Sequence, residues 1–199
     1  MYKMKIYDIS QELFSSNVYP GDKAPKRTIV SDMDKGASCN VSELEMNAHN
    51  GTHMDAPKHF IKGGRAIDEL ELENLIGKCT VVSMNGDIYP DTVREVCQKN
   101  NTKRLLLKGK CQLTVEAADI LSKCGVVLVG VESQSIGQEG APLPVHVSVL
   151  GQGIVALEGL VLTEVPDGEY FLFAAPIKLG GCDGSPCRAV LIDKFDTDN

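Results

Sequence analysis

Short runs of apolar residues along the chain predict a series of strands. The run at 126–131 shows no polar alternation, so both faces of this strand should be buried. Apolar segments at 79–84 and 104–108 also predict strands, because β-branched and other apolar residues are bounded by turn-forming ones. Further strands are predicted at 5–9, 41–46, 171–173 and 189–192.

Polar residues mark the starts of the helices between these strands. Asp91 is expected to cap a helix that runs to Lys99, and Thr114 a helix that runs to Lys123. A short helix is also expected at 146–151. Strands that alternate with helices indicate an α/β fold in which at least part of the sheet is parallel. At 199 residues, without an internal repeat or a linker-like stretch, the chain is expected to form a single domain over residues 1–199.

Composition and charge limit the classes of partner. The net charge of −7 argues against a nucleic acid or an anionic membrane, whose phosphates favour a basic face. The N-terminal residues lack the apolar core of a signal peptide, and no stretch approaches the ~20 apolar residues of a membrane span, so a cytoplasmic protein is expected. Seven cysteines without a C-x-x-C pair predict buried, reduced thiols. A cross-link or metal site at Cys182 and Cys187 is the alternative.

Candidate chemistry is concentrated in the segment H-x-G-T-H-x-D-x-P-x-H at residues 49–59. It holds three of the four histidines, His49, His53 and His59, together with Asp55. A helix is disfavoured here because a glycine, a β-branched threonine and a proline interrupt it, so we expect a strand that ends in a tight loop.

His49, His53 and Asp55 offer two nitrogens and one oxygen to a metal ion. Three protein ligands leave a coordination position open for water, which is typical of a catalytic rather than a structural metal site. Histidines on the surface, or hydrogen-bonded within the core, are the alternative interpretation.

Glu158 is a lone carboxylate in the apolar run 154–162, and His146 precedes it by twelve residues. An unpaired buried carboxylate is costly, so Glu158 needs a cation, either a lysine or arginine partner or a metal ion. Asp55 has two oxygens and can bridge two ions ~3.5–4 Å apart, as in two-metal hydrolases. Asp55, His146 and Glu158 would then form a second ligand set.

Together these motifs resemble the cyclase-like metal-dependent hydrolases, the family of bacterial kynurenine formamidase and isatin hydrolase. The resemblance rests on the segment at 49–59, the pair His146 and Glu158, the Y-P-G-D turn at 19–22 and the G-C-D-G-S-P-C-R segment at 181–188, and it extends from about residue 5 to 193. It implies a swivelling β/β/α domain with a mixed sheet, a site for one or two metal ions, and a homodimer or higher homo-oligomer.

The resemblance also implies roles for single residues. His49, His53 and Asp55 would hold one metal ion, and Asp55, His146 and Glu158 the other. His59 would transfer protons. Tyr19 falls where formamidases have a tryptophan that lines the substrate pocket, and a turn without further function is the alternative for it. The chain contains no tryptophan, which argues against a kynurenine substrate more than against hydrolysis itself.

The sequence therefore predicts a metal-dependent amidohydrolase that cleaves an N-formyl or other amide bond of a small molecule. A divalent metal, zinc first and manganese second, would activate water, and His59 would act as general acid and base. The alternatives are a hydrolase that opens a lactone, cyclic imide or isatin-like ring, and a non-catalytic metal- or ligand-binding protein on the same scaffold.

The roles of three further polar positions stay open in the sequence. Polar residues at 132–135 follow the buried strand at 126–131, where α/β sheets often bind ligands, but they serve a loop equally well. Asp183 lies in a turn, and Arg188 is expected to pair with a carboxylate in a structural role.

Overall fold

The chain is built around strands, as seen in a computed structural model that describes residues 4–138 and 140–193. In chain order, the strands of the described residues are β1 Lys5–Asp8, β2 Lys26–Ser31, β3 Val41–Glu45, β4 His53–Asp55, β5 Ile76–Ser83, β6 Gly86–Ile88, β7 Arg104–Lys108, β8 Cys111–Leu113, β9 Leu128–Val131, β10 Val155–Glu158, β11 Gly168–Phe173, β12 Gly184–Pro186 and β13 Val190–Asp193. The α-helices are α1 Leu72–Leu75, α2 Pro90–Asn100, α3 Val115–Ala118 and α4 Leu143–Gly151.

Nine strands form one mixed sheet in the order β1-β13-β11-β5-β7-β9-β10-β4-β12. The central strands β5, β7, β9 and β10 are parallel, and the strands on either side pair antiparallel. This confirms the predicted α/β fold with a mixed, partly parallel sheet in one domain. The pairs β2–β3 and β6–β8 lie outside this sheet.

Alternate residues of the central strands contribute to two apolar cores, one on each face of the sheet. Leu106 and Leu128 belong to one core, whereas Leu105, Leu107 and Val129 pack in the other with helices α2, α3 and α4. Burial on both faces explains why the run at 126–131 shows no polar alternation, although the strand itself begins only at Leu128.

The predicted helices exist, but their boundaries differ. Helix α2 begins at Pro90, with Tyr89 rather than Asp91 at the N-cap, because proline is well suited to the first helical turn. Thr114 caps α3 as predicted, its Oγ1 accepting a hydrogen bond from the Ala117 N–H. That helix is only one turn long and is followed by a separate 3₁₀ turn at Ser122–Cys124. Helix α4 begins three residues before the predicted start.

The hairpin formed by β2 and β3 is exposed on both faces. Its apolar side chains include Ile29, Val30, Val41 and Leu44, which are 44–56% exposed. The strand β2 was not predicted, because apolar and polar residues do not alternate along it as they do in a strand with one buried face. A two-stranded hairpin without packing partners is only marginally stable in water. A hairpin whose apolar side chains are exposed on both faces is therefore expected to pack against another surface.

All seven cysteines are free, as predicted. Cys79 and Cys97 are buried, whereas Cys39 is exposed, which corrects the expectation that the thiols lie inside. Cys182 and Cys187 form no cross-link. Within residues 4–138 and 140–193, no helix has the length and apolar character to cross a membrane.

Candidate metal centre

The candidate site is built around β4, which lies between β10 and β12 in the sheet. Antiparallel pairing with β10 sets Glu158 opposite His53, and pairing with β12 sets Gly184 opposite Asp55. Strand pairing, and not proximity in the chain, therefore brings Glu158 to the histidine segment.

A tight turn before β4 carries His49. Asn50 Oδ1 accepts a hydrogen bond from the Asn47 N–H at 2.7 Å, and Asn47 Oδ1 accepts one from the His49 N–H at 3.0 Å. Gly51 has a φ of 64°, a left-handed conformation that favours glycine. The predicted strand that ends in a tight loop is β4, which is followed directly by a 3₁₀ turn at Pro57–His59. A second turn precedes β4 and carries His49, because asparagine side chains that bond to nearby backbone stabilise turns in preference to strands.

Asp55 lies at the centre of the site and is fully buried. Its Oδ1 lies 2.8 Å from His49 Nδ1 and 3.6 Å from His53 Nε2. Its Oδ2 lies 3.5 Å from His146 Nε2 and 4.0 Å from His59 Nε2, and it accepts no hydrogen bond in the described part of the chain. All four imidazoles thus surround one carboxylate.

Glu158 is a second acidic centre, buried between two imidazoles. Its Oε2 lies 3.2 Å from His53 Nε2, and its Oε1 lies 3.1 Å from His146 Nε2. Oε1 also accepts a hydrogen bond from the Ile136 N–H at 2.8 Å. Among the described residues, the ion pairs of Glu158 and Asp55 involve only histidines, so the lysine or arginine partner considered for Glu158 is not there.

Asp183 joins the outer side of the site, a position that the sequence left open. Its Oδ2 lies 3.0 Å from His49 Nε2 and 3.2 Å from His59 Nδ1, and the two imidazole rings stack with centroids 4.0 Å apart. Gly184 makes room for this arrangement, because a Cβ there would lie 2.6 Å from His49 Cε1. The G-S-P sequence after Asp183 was the available signal, since it occurs in the segment that carries the family resemblance.

The charges of the site depend on these contacts. Burial opposes protonation of His49 and His146, but the hydrogen bonds that they donate to their carboxylate partners outweigh it and raise the pKa values to about 9 and about 10. Burial likewise opposes protonation of His53, and Glu158 outweighs it, so that its pKa is raised. Burial lowers the pKa of His59, whose imidazole is therefore neutral near pH 7.

The carboxylates respond in the opposite sense. Burial of Asp55 disfavours its charged form, but the neighbouring imidazoles of His146 and His49 outweigh this and lower its pKa. Burial of Asp183 is likewise outweighed by its hydrogen bond from His49, and its pKa is lowered. Both groups are therefore anionic near pH 7.

The residues fit a divalent metal ion. Ligand atoms of two groups lie within 4.8 Å of one another: His49, Asp55 and His59 form one group, and His53, Asp55 and Glu158 the other. The unpartnered Oδ2 of Asp55 costs about 1–3 kcal/mol or more if nothing binds it, because a buried acceptor has lost its water.

Two histidines are also oriented as metal-bound histidines usually are. His53 Nδ1 donates to the Gly51 carbonyl at 3.0 Å, and His146 Nδ1 donates to the Pro142 carbonyl at 2.8 Å. Each Nε2 is therefore left for the carboxylates or for an ion. The grouping differs from the predicted sets, because the β4–β10 register pairs His53 with Glu158 and ring stacking brings His59 beside His49.

One cavity opens onto these residues, and a second cavity adjoins it. The inner cavity, of about 350 Å³, is lined by all four histidines, Glu158 and Asp183, and also by Phe60. The outer cavity, of about 510 Å³, is lined on one side by Lys110, Cys111 and Gln112. Tyr19, Gln134 and Ser135 line both cavities. Tyr19 lies in a turn closed by a hydrogen bond from the Asp22 N–H to its carbonyl.

Other charged residues of interest lie outside the site. Glu132 accepts hydrogen bonds from the N–H groups of Gly109 and Leu162, so it ties two loops together. Arg188 forms an ion pair with Asp8 on the surface, as expected for a structural role.

Comparison with known proteins places this site in a family. The model of the family described as "Putative cyclase" matches residues 7–138. The chain belongs to the cyclase family. Kynurenine formamidase from Salinibacter ruber is 34% identical to this chain over 212 aligned positions, which cover 97% of this chain and 100% of that protein. The predictions of family membership and of an enzyme of the metal-dependent amidohydrolase class are thereby confirmed.

Solved structures of other proteins share the fold. A potential metal-dependent hydrolase with cyclase activity is 29% identical, with a TM-score of 0.82, covering 96% of this chain and 99% of that one. Isatin hydrolase A from Labrenzia aggregata has a TM-score of 0.80 at 21% identity, covering 95% of this chain and 93% of that one, and supports the fold alone.

Proposed function

We propose that the protein hydrolyses a carbon–nitrogen amide bond of a small molecule, with an N-formyl amide as the first candidate substrate. The observation that carries this proposal is the buried cluster of four imidazoles around Asp55, which faces a cavity and contains an acceptor oxygen without a hydrogen-bond partner among the described residues. Kynurenine formamidases cover nearly the whole chain, which supports amide hydrolysis as the reaction.

The metal ligands are proposed to be His49, His53 and Asp55 for one ion, with Asp55, His146 and Glu158 for a second. Zinc is the first candidate and manganese the second, since nitrogen and oxygen ligands suit both. A divalent ion held there would lower the pKa of a water molecule and polarise the substrate carbonyl. The chain's own contribution is to hold the ligands in a buried cavity that shields the reaction from bulk water.

His59 is proposed to move the proton. Its Nδ1 is held by Asp183 at 3.2 Å, and its Nε2 points to the side of Asp55. Because burial keeps the imidazole neutral near pH 7, Nε2 is free to accept a proton from the attacking water. The same nitrogen then donates this proton to the leaving nitrogen of the substrate, which completes hydrolysis without a net change in His59.

Tyr19 is proposed to contact the substrate, because it lines both cavities beside the histidines. Phe60 lines the inner cavity, and its ring lies 4.6 Å from that of His146. Two aromatic side chains that line the cavity favour a flat or apolar substrate.

Assembly and location are also proposals. The exposed apolar hairpin β2–β3 supports a homodimer or higher homo-oligomer, since a second copy would cover Ile29, Val30 and Leu44. Light scattering of the purified protein tests this, and a monomer at all concentrations would contradict it. A cytoplasmic location is expected, and fractionation of the source cells would test it.

The activity is tested by metal analysis beside a substrate panel. The purified protein should contain a divalent metal and hydrolyse at least one N-formyl amide, lactone or cyclic imide. Chelation should abolish turnover and lower the melting temperature, because an ion that binds only the folded state stabilises it by mass action. A protein that contains no metal and is unchanged by the chelator would contradict the proposed site.

A further inference from the structure

The pairing between β10 and β4 ends at two of the proposed metal ligands. Glu158 and His53 form the last pair in the register, and Glu158 Oε2 lies 3.2 Å from His53 Nε2. Gly159, the next residue, has left the strand, and its N–H donates to the Ser133 carbonyl at 2.8 Å. In the described part of the chain, main-chain pairing with β4 therefore does not hold β10 beyond these two ligands.

The hydroxyl group of Thr52 makes the connection just past this pair. Thr52 precedes His53 and is buried, and its Oγ1 donates to the Gly159 carbonyl at 2.6 Å. The same oxygen accepts a hydrogen bond from the Gln11 N–H at 2.9 Å. Because the hydroxyl is used as both donor and acceptor, its direction is fixed from both sides.

The main chain of Thr52 is held from the opposite side of β4. Its carbonyl accepts a hydrogen bond from the Cys187 N–H at 3.0 Å, and Cys187 directly follows β12, the other neighbour of β4. Three segments that are distant in the sequence, at Gln11, Gly159 and Cys187, thus meet at Thr52. Thr52 is therefore fixed relative to the strands on either side of the candidate metal centre.

The same junction orients the imidazole of His53. His53 Nδ1 donates to the Gly51 carbonyl at 3.0 Å. This carbonyl packs against Gly159, where a Cβ would lie 2.5 Å from it. A shift of Gly159 would therefore disturb both the carboxylate of the adjacent Glu158 and the carbonyl that orients His53.

We propose that Thr52 is a positioning residue of the candidate metal centre, whose hydroxyl sets the placement of His53 relative to Glu158. It acts through these two ligands, because it ties the residue before one of them to the residue after the other. Binding sites need their ligands held to within about 0.5 Å of the required geometry. This inference rests on the proposed metal ligands and adds to them a residue that does not contact the ion.

Valine at this position would keep the shape of threonine but lose both hydrogen bonds. It would leave the Gln11 N–H without its acceptor, and the Gly159 carbonyl would keep only the bond from Gln11 Nε2. A buried polar group that loses its partner tends to shift towards another one. We therefore expect the end of β10 to move relative to β4 in Thr52→Val.

A second buried threonine provides a matched control. Thr80 on β5 is 4% exposed, as is Thr52, and its Oγ1 lies 2.7 Å from Thr102 Oγ1. Strands β7, β9 and β10 lie between β5 and β4 in the sheet. Replacement of either threonine by valine removes a hydrogen-bonded, buried hydroxyl, but only that of Thr52 is connected to the proposed ligands.

The test is titration of the chelator-treated protein with Zn²⁺, in competition with a chelator of known affinity. Thr52→Val should bind at least one Zn²⁺ about 10- to 100-fold more weakly than the wild-type protein, the range for groups that orient metal ligands. Thr52→Ser keeps the hydroxyl and should restore the affinity. Thr80→Val should bind Zn²⁺ as the wild-type protein does, although both valine variants should lower the melting temperature of the metal-free protein.

Unchanged Zn²⁺ affinity in Thr52→Val would overturn the proposal and leave the proposed metal site intact. An equal loss in Thr52→Val and Thr80→Val would overturn it as well, and so would a loss in Thr52→Ser as large as that in Thr52→Val. If Thr52→Val does not fold, Thr52→Ala carries the same prediction, and failure of both to fold would make the hydroxyl a requirement of the fold and overturn the proposal. A wild-type protein that binds no Zn²⁺ would refute the metal site itself.

Discussion

The candidate site consists of two halves that differ in how the chain supplies them. The near half, His49, His53, Asp55 and His59, comes from one short segment and faces Asp183, whose side chain is 45% exposed. The far half, His146 and Glu158, comes from α4 and β10 and is almost fully buried. The near half therefore reaches the cavity through the partly exposed His49 and His59, although Asp55 is fully buried, whereas the far half lies in the core of the protein.

The two halves are therefore suited to different roles. Residues in the near half can exchange protons with a bound substrate, because His59 lines the cavity and is partly exposed. Residues in the far half are better suited to bind a cation in a fixed position, since Glu158 is held by two imidazoles and by a backbone N–H. Asp55 connects the halves through its two oxygens.

Replacement of Asp55 by asparagine should have the largest effect, because it breaks both halves at once. We expect the Asp55→Asn variant to lose metal from the whole site and to fall to the activity of the chelated protein. Metal content and turnover measure this. Retention of the full metal content would show that Asp55 is not the shared ligand.

Replacement of Glu158 by glutamine should break the far half only. If the site holds two ions, the Glu158→Gln variant should lose one equivalent of metal or bind it much more weakly, while the near half keeps the other. Glu132→Gln is the matched control, because Glu132 bonds only backbone N–H groups outside the site. Metal titration of both variants is the measurement, and unchanged binding by Glu158→Gln would return this residue to a structural role.

Replacement of His59 by glutamine should affect the near half without loss of metal. Removal of a general acid and base costs about 10²- to 10⁴-fold in rate. The His59→Gln variant should therefore keep its metal content and melting temperature while turnover falls by this factor. Added imidazole should restore part of the rate of His59→Ala. Loss of metal would instead make His59 a ligand, and activity within a few-fold of wild type would mean that another group moves the proton.

Replacement of Asp183 by asparagine should have the smallest effect. Residues that orient a metal ligand or a catalytic imidazole typically contribute about 10- to 100-fold. We expect Asp183→Asn to lower kcat in this range with a shift in the pH profile, because Asp183 holds both His49 and His59. Asp87→Asn, on the exposed strand β6, is the control. A loss confined to KM, with an unchanged pH profile, would contradict an orienting role.

Much of the near half was visible in the sequence. The spacing of His49, His53 and Asp55 with an interrupted helix pattern indicated a metal site outside a helix, and it lies in a turn and a short strand. Thr114 as a helix cap and the buried run at 126–131 were likewise readable, because capping and burial depend on a few neighbouring residues. These features are local, so steric and hydrogen-bonding rules over short distances are sufficient for them.

The tertiary structure alone decided the remaining features. That Glu158 lies opposite His53 depends on the register between β10 and β4, which is set by the packing of the whole sheet. That Asp183 reaches two imidazoles depends on which segments meet beside β12. Contacts between distant segments are chosen by the total free energy of the fold, and no short stretch of sequence contains that information.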